Sequence, residues 1–127
     1  MTKLITVLLF TLMVVTTSAW AEWINIGENG EATIYIDKES IRKEGNLRKV
    51  WQFYDLKIKN DKGAMSIRSR IEIDCKNERV RPMSFSAFSE AMLRGTLLAF
   101  DDLPDSRWRD AAPNTPAESA VKISCAE

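Results

Sequence analysis

The sequence has no histidine in 127 residues. That removes the commonest general base, the Ser–His–Asp triad and the commonest metal ligand together. Cysteine is scarce as well, with Cys75 and Cys125 only. Their wide separation fits neither zinc-ligand spacing nor a Cys-x-x-Cys redox pair. The five glycines are scattered and build no phosphate-cradling loop. Charge of one sign is not in excess either, at 18 Lys and Arg against 18 Asp and Glu, whereas nucleic-acid surfaces usually show a basic surplus. These absences argue against an enzyme, a metal or other cofactor, and a nucleic-acid partner.

Long apolar runs are missing except at the start. "MTKLITVLLFTLMVVTTSAWAE" carries Lys3, then an apolar run over residues 4–15, then small and hydroxyl side chains ending in Ala19-Trp20-Ala21. This pattern predicts a cleaved signal peptide over residues 1–21. The run is too short to span a bilayer, which takes about 20 residues. No cysteine lies near the cleavage point to take a lipid, so the mature chain is expected to be exported, periplasmic or secreted, without a transmembrane segment. Residues 22–127 suit one small domain with a single core.

What is present is mostly alternation. "WINIGENGEATIYID" reads as a hairpin about Asn29-Gly30, a dipeptide that takes the positive φ angles of tight turns. "DKESIRKEG" reads as one short turn, capped by Asp37 and closed by Gly45. "LRKVWQFYDLKIKN" is a long strand with large apolar groups on both faces, so cover is expected on both sides. "NDKG" turns the chain. "MSIRSRIEIDC" alternates most cleanly, with Ile67, Ile71, Ile73 and Cys75 on one face and Arg68, Arg70, Glu72 and Asp74 on the other. "RVRPMSFSAFS" returns as the next strand. An even-numbered hairpin loop there places Cys75 opposite Val80 and Asp74 opposite Arg81. Pro82 predicts an edge or an irregularity. "TLLAF" reads as a last strand, and "DDLPDSRWRDAAPN" as loop. Thr115-Pro116-Ala117-Glu118 has a capping threonine, proline at the first helical position and glutamate at the third. Ala117, Ala120, Val121, Ser124 and Cys125 then form one helical stripe.

Two cysteines in an exported chain most simply form one disulfide. Both lie on docking surfaces, Cys75 on the apolar face of a strand and Cys125 on the stripe of a helix. The loop closed is about 50 residues, which chain-entropy estimates value at roughly 4 kcal/mol. The predicted fold is α+β: an antiparallel meander sheet of five to six strands, with a C-terminal helix pinned by that disulfide. A nucleophilic Cys75 would need an electropositive niche, and alternation turns it away from the charges. Glu72/Asp74 and Asp101/Asp102 read as wet-face and loop charges rather than acid–base pairs.

The best candidate for function is a surface. In the register above, Arg68, Arg70, Arg81, Met83 and Phe85 share one face of adjacent strands, and arginine beside aromatic and thioether groups is typical of protein-binding patches. Ordinary packing is the competing reading: Met83 and Phe85 lie under the loop of residues 101–114, and the arginines pair with Glu72 and Asp74.

"IYIDKESIRKEGNLRKVWQFYDL", "SRIEIDCKNERVRPMSFSAFSEAMLRG" and "PNTPAESAVKISC" together resemble the surface-adhesin protein E domain family of Gram-negative bacteria. The resemblance runs from Ile34 to Cys125. It implies a sheet with a disulfide-held C-terminal helix, and an exported binding protein that contacts host matrix or serum proteins and can self-associate. Only Cys75 and Cys125 carry over residue by residue. A periplasmic structural or assembly factor, acting within the envelope without a host ligand and as a homodimer through its sheet edge, is the alternative role.

Overall fold

Alternation of period two dominates residues 22–126, the part of the chain described by the computed structural model, and these residues build one antiparallel sheet. The signal peptide expected over residues 1–21 lies outside the described residues. Six strands follow one another across the sheet: β1 (Trp23–Glu28), β2 (Ala32–Asp37), β4 (Leu47–Leu56), β5 (Ser66–Asp74), β6 (Arg79–Phe88) and β7 (Leu97–Asp102). Two short pieces add to it. β3 (Arg42–Glu44) pairs with β4, and β8 (Arg109–Asp110) pairs with β6. Among the described residues there is a single α-helix, α1 (Pro116–Ser124), which follows the last strand.

The sheet has two unlike faces. On one, Ile34 and Ile36 of β2, Val50 of β4 and Ile71 and Ile73 of β5 meet Ala120 and Val121 of α1. Ile36, Val50 and Ile73 are fully buried. Side chains of that kind each contribute roughly 1.5–3 kcal/mol when taken out of water, which is how a nine-residue helix, too short to persist alone, stays formed. Thr115 caps the helix, its Oγ1 accepting from the Glu118 N–H at 3.4 Å, and Pro116 follows at the first turn. The helix N-terminus sits against Gly27 of β1. That residue has φ +141°, and an added Cβ would come within 3.2 Å of the Pro116 ring, so both backbone and space call for glycine.

Cys75 and Cys125 form the disulfide, with Cα atoms 5.8 Å apart. It ties the turn after β5 to the C-cap of α1. Cys75 is the first turn residue rather than a strand residue, and its N–H donates to the Asn46 carbonyl at 2.9 Å. Beside it lies a buried cation. Arg48 projects from β4 to the helix face, donating to the carbonyls of Ser124 (3.1 Å), Gly45 (2.8 Å) and Leu47 (2.9 Å). A guanidinium at a helix C-terminus is favoured by the unpaired carbonyls and the helix dipole.

Several local expectations change. The β1–β2 turn is built by the Asn29 side chain, whose Oδ1 accepts from the Glu31 and Ala32 N–H groups, and neither Asn29 nor Gly30 takes a positive φ. "DKESIRKEG" is more than one turn. Asp37 does cap a 3-10 turn over Lys38–Ser40, but the chain then adds β3 before turning at Gly45, which has φ +58°. The long strand stops at Leu56, leaving Ile58 exposed. The "DDLPDSRWRDAAPN" loop begins as the end of β7 and includes β8.

Candidate functional site

The β5–β6 register decides what the second face carries. Asp74 pairs with Arg79, Ile73 with Val80 and Glu72 with Arg81, so each β5 residue meets a partner two positions earlier than in the Cys75–Val80 and Asp74–Arg81 pairing expected from the sequence. Parity is unchanged at this end, so Arg79 and Arg81 still share the face of Glu72 and Asp74. Farther along, Ile71 pairs with Pro82 but Arg70 with Ser84, so Met83 is an extra residue in a bulge. Pro82 lacks the N–H that a regular ladder would use at that point.

The bulge splits the five residues assigned to one patch. Arg68, Arg70 and Arg81 remain together. Phe85 is turned to the opposite face, opposite Ser69, where it lines a groove of about 540 Å³ with Tyr54, Ile67, Pro116 and Ala117. Met83 sits half-buried in the bulge, its carbonyl accepting from the Leu103 N–H at 2.8 Å. Ser84 and Ser86 take the positions beside Arg70 and Arg68 instead. Polar groups line it too, among them Glu31, Ser69 and Arg109 at its walls and Gln52 and Tyr54, which are joined by a 3.2 Å hydrogen bond; burial pushes the Tyr54 hydroxyl above its ordinary pKa.

Across the second face runs a series of rings and guanidiniums. Phe53, only 1% exposed, is covered by Trp23 edge-on and by Tyr35 stacked, both at 4.7 Å between centroids. Next to it, Arg68 lies 4.7 Å and Arg70 5.8 Å from the centroid of Trp51. Farther along, Arg81 and Arg79 lie 4.3 and 5.4 Å from that of Trp108. The cover expected on both sides of β4 is therefore real, but here aromatic and arginine side chains supply it rather than a second layer. Trp108 was legible only as a loop tryptophan; its pairing across to β6 follows from β8, too short to show a pattern.

The four arginines divide into two pairs. Arg81 donates to Glu72 from Nε at 2.9 Å and again from a terminal amino group, and Arg79 donates to Asp74 at 2.9 Å. Asp74 also accepts from Asn77 Nδ2 at 2.9 Å and from the N–H groups of Lys76 and Asn77. The Asn77 amide and the Arg79 guanidinium together hold the Asp74 carboxyl well below the usual carboxylate range. It stays ionised and anchors the hairpin, so it is ill suited to proton transfer. Arg68 and Arg70, by contrast, have no carboxylate within ion-pair distance among the described residues. Competing packing thus accounts for Arg79 and Arg81 and leaves Arg68 and Arg70 unexplained. Among the described residues no cluster of acidic or sulfur side chains could hold a metal ion, and no helix is long and apolar enough to cross a membrane.

Residues 23–126 match the family described as surface-adhesin protein E. The chain belongs to that family. The same fold recurs in crystal structures of Haemophilus influenzae protein E. Crystal form II gives a TM-score of 0.67 at 20% identity, over 87% of this chain and 91% of that one. The protein from a non-typeable strain gives 0.63 at 20% identity, over 87% and 79%. Curated protein sequences give no match. Identity this low carries the fold, and the family makes the chain an adhesin-type module, while the side chains that contact a ligand must be argued from this sheet.

Proposed function

We propose that this domain is an exported binding module, adhesin-like and non-enzymatic, that makes protein–protein contacts through the arginine-bearing face of its sheet. One observation carries the reading. The helix and disulfide occupy one face, whereas the other holds half-buried Trp51 and Trp108, each beneath two guanidiniums. Rings and arginines already held against each other lose little freedom on binding, and both residue types are enriched where interfaces concentrate their energy. Partners of the host matrix or serum, or of the bacterial envelope, fit an exported protein. Immobilised mature domain exposed to matrix, serum and envelope proteins tests this. Retention of a protein that Trp51→Ala with Trp108→Ala releases is the expected result, and no retention above a scrambled-surface control contradicts it.

A second reading has its own support. β7 is an edge strand, and Leu97, Leu98 and Phe100 on it are exposed, Phe100 at 60%. Unpaired apolar edges favour strand-to-strand association. A homodimer built there would suit a structural or assembly factor in the periplasm. Light scattering reports the mass, and protease treatment of intact cells separates a periplasmic protein, which is spared, from one at the surface.

A further inference from the structure

The arginine-bearing face is balanced at one end and unbalanced in the middle. We infer that Arg68 and Arg70, held over Trp51, form a binding station for an extended acidic segment of a protein partner, taking carboxylates from two alternate residues. This rests on the protein-binding reading of that face and assigns its chemistry.

Three observations support it. First, both guanidiniums lie within 5.8 Å of one ring centroid, which places the two charges within about one Debye length (~10 Å at 0.1 M salt) of each other. Neither guanidinium has a carboxylate within ion-pair distance among the described residues. An incoming anion would relieve their mutual repulsion. Second, the two arginines are spaced i, i+2 along β5, about 7 Å apart at the strand rise of roughly 3.4 Å per residue. An extended peptide presents alternate side chains at the same interval, and a carboxylate matches the planar guanidinium fork.

Third, the surroundings set the size of the site. Along the strand, Glu72 follows Arg70, already joined to Arg81, and beyond Arg68 lies Asp55 of β4, opposite Ser66. Carboxylates therefore bracket the cation pair. Two acidic residues separated by one other fit between them, whereas a longer acidic run meets like charge at either end. That favours a short acidic motif over a uniformly charged polymer such as a sulfated glycan.

The probes are a short peptide with Glu at two alternate positions and Thr between, its Gln counterpart, and a heparin fragment, each titrated calorimetrically into the mature domain. The Glu peptide is expected to bind about tenfold or more tightly than the Gln peptide, with a preference that fades in salt. Arg68→Gln with Arg70→Gln should abolish the preference, and Arg42→Gln, in the exposed β3, should leave it intact. Melting curves check folding. Should the double variant melt early, Arg70→Gln alone carries the test, since Arg70 lies farther from the ring. Equal affinity for the two peptides, tighter binding of heparin, or a preference that survives in folded arginine variants would each overturn the inference. If only those results fail while the immobilised domain still retains a protein partner, the acidic motif is wrong and the binding module stands.

Discussion

The two faces of this sheet reach coverage by different means. Toward α1, burial is apolar, continuous and covalently fastened: Ile36, Val50 and Ile73 lose their water to a helix that Thr115 starts, Arg48 receives and Cys125 holds. Toward the opposite side no helix lies among the described residues, and the strands bring their own cover, rings shielded by rings or by guanidiniums. Apolar burial scales with area and does not require charge to be balanced. The arginine cover is worth roughly 0.5–1 kcal/mol per exposed cation–ring contact and leaves donors available to something outside. Stability should therefore reside on one face and binding on the other.

Substitutions can break that division, and the largest effect is expected at the disulfide. Reduction, or Cys75→Ser with Cys125→Ser, releases a loop with a sequence separation of 50 and should cost roughly 4 kcal/mol, seen as a marked fall in Tm by circular dichroism. Two titratable thiols in the oxidised, folded protein would contradict it. Next, Ile73→Ala under the helix should cost about 2–5 kcal/mol in chemical unfolding, as truncations of fully buried aliphatic residues do.

Asp74→Asn should have a smaller effect, and one that depends on pH. The folded-state pKa of Asp74 is depressed, so its contribution is full above the unfolded value of about 3.9 and is lost as pH falls through the folded value. Unfolding measured across acid pH should show wild type losing stability below about pH 4 and the asparagine variant losing less. A parallel pH dependence in the two would refute the assignment. Smallest should be Trp108→Ala, whose half-exposed ring packs on Arg79 and Arg81, with a change of about 1 kcal/mol or less by the same melting measurement.

Much of the stable face was legible in the sequence, because period two and period 3.6 report burial directly. Ile71, Ile73 and the stripe Ala120, Val121 and Ser124 were assigned by spacing alone, and the two cysteines met because both lay on buried surfaces. Arg48 escaped notice, since a charge on an apolar face looks like a break in pattern until its carbonyl partners are in place. The other face was only half legible. Arg68, Arg70 and Arg81 fell together as alternation required, but the Met83 bulge reversed the strand beyond it and carried Phe85 to the helix side. Pro82 hinted at an irregularity without fixing its length. Three exposed residues of β3 and two of β8 offered no periodicity to read.

The division of labour is tested most directly by partner capture with matched variants. Immobilised domains carrying either Trp51→Ala with Trp108→Ala, or Phe85→Ala with Ala117→Glu in the groove on the helix face, would be confirmed as folded and exposed to the same matrix, serum and envelope proteins. Loss of the retained protein from the tryptophan variant alone is predicted. Loss from the groove variant, with the tryptophan variant still binding, would contradict it and move the binding site to the helix face.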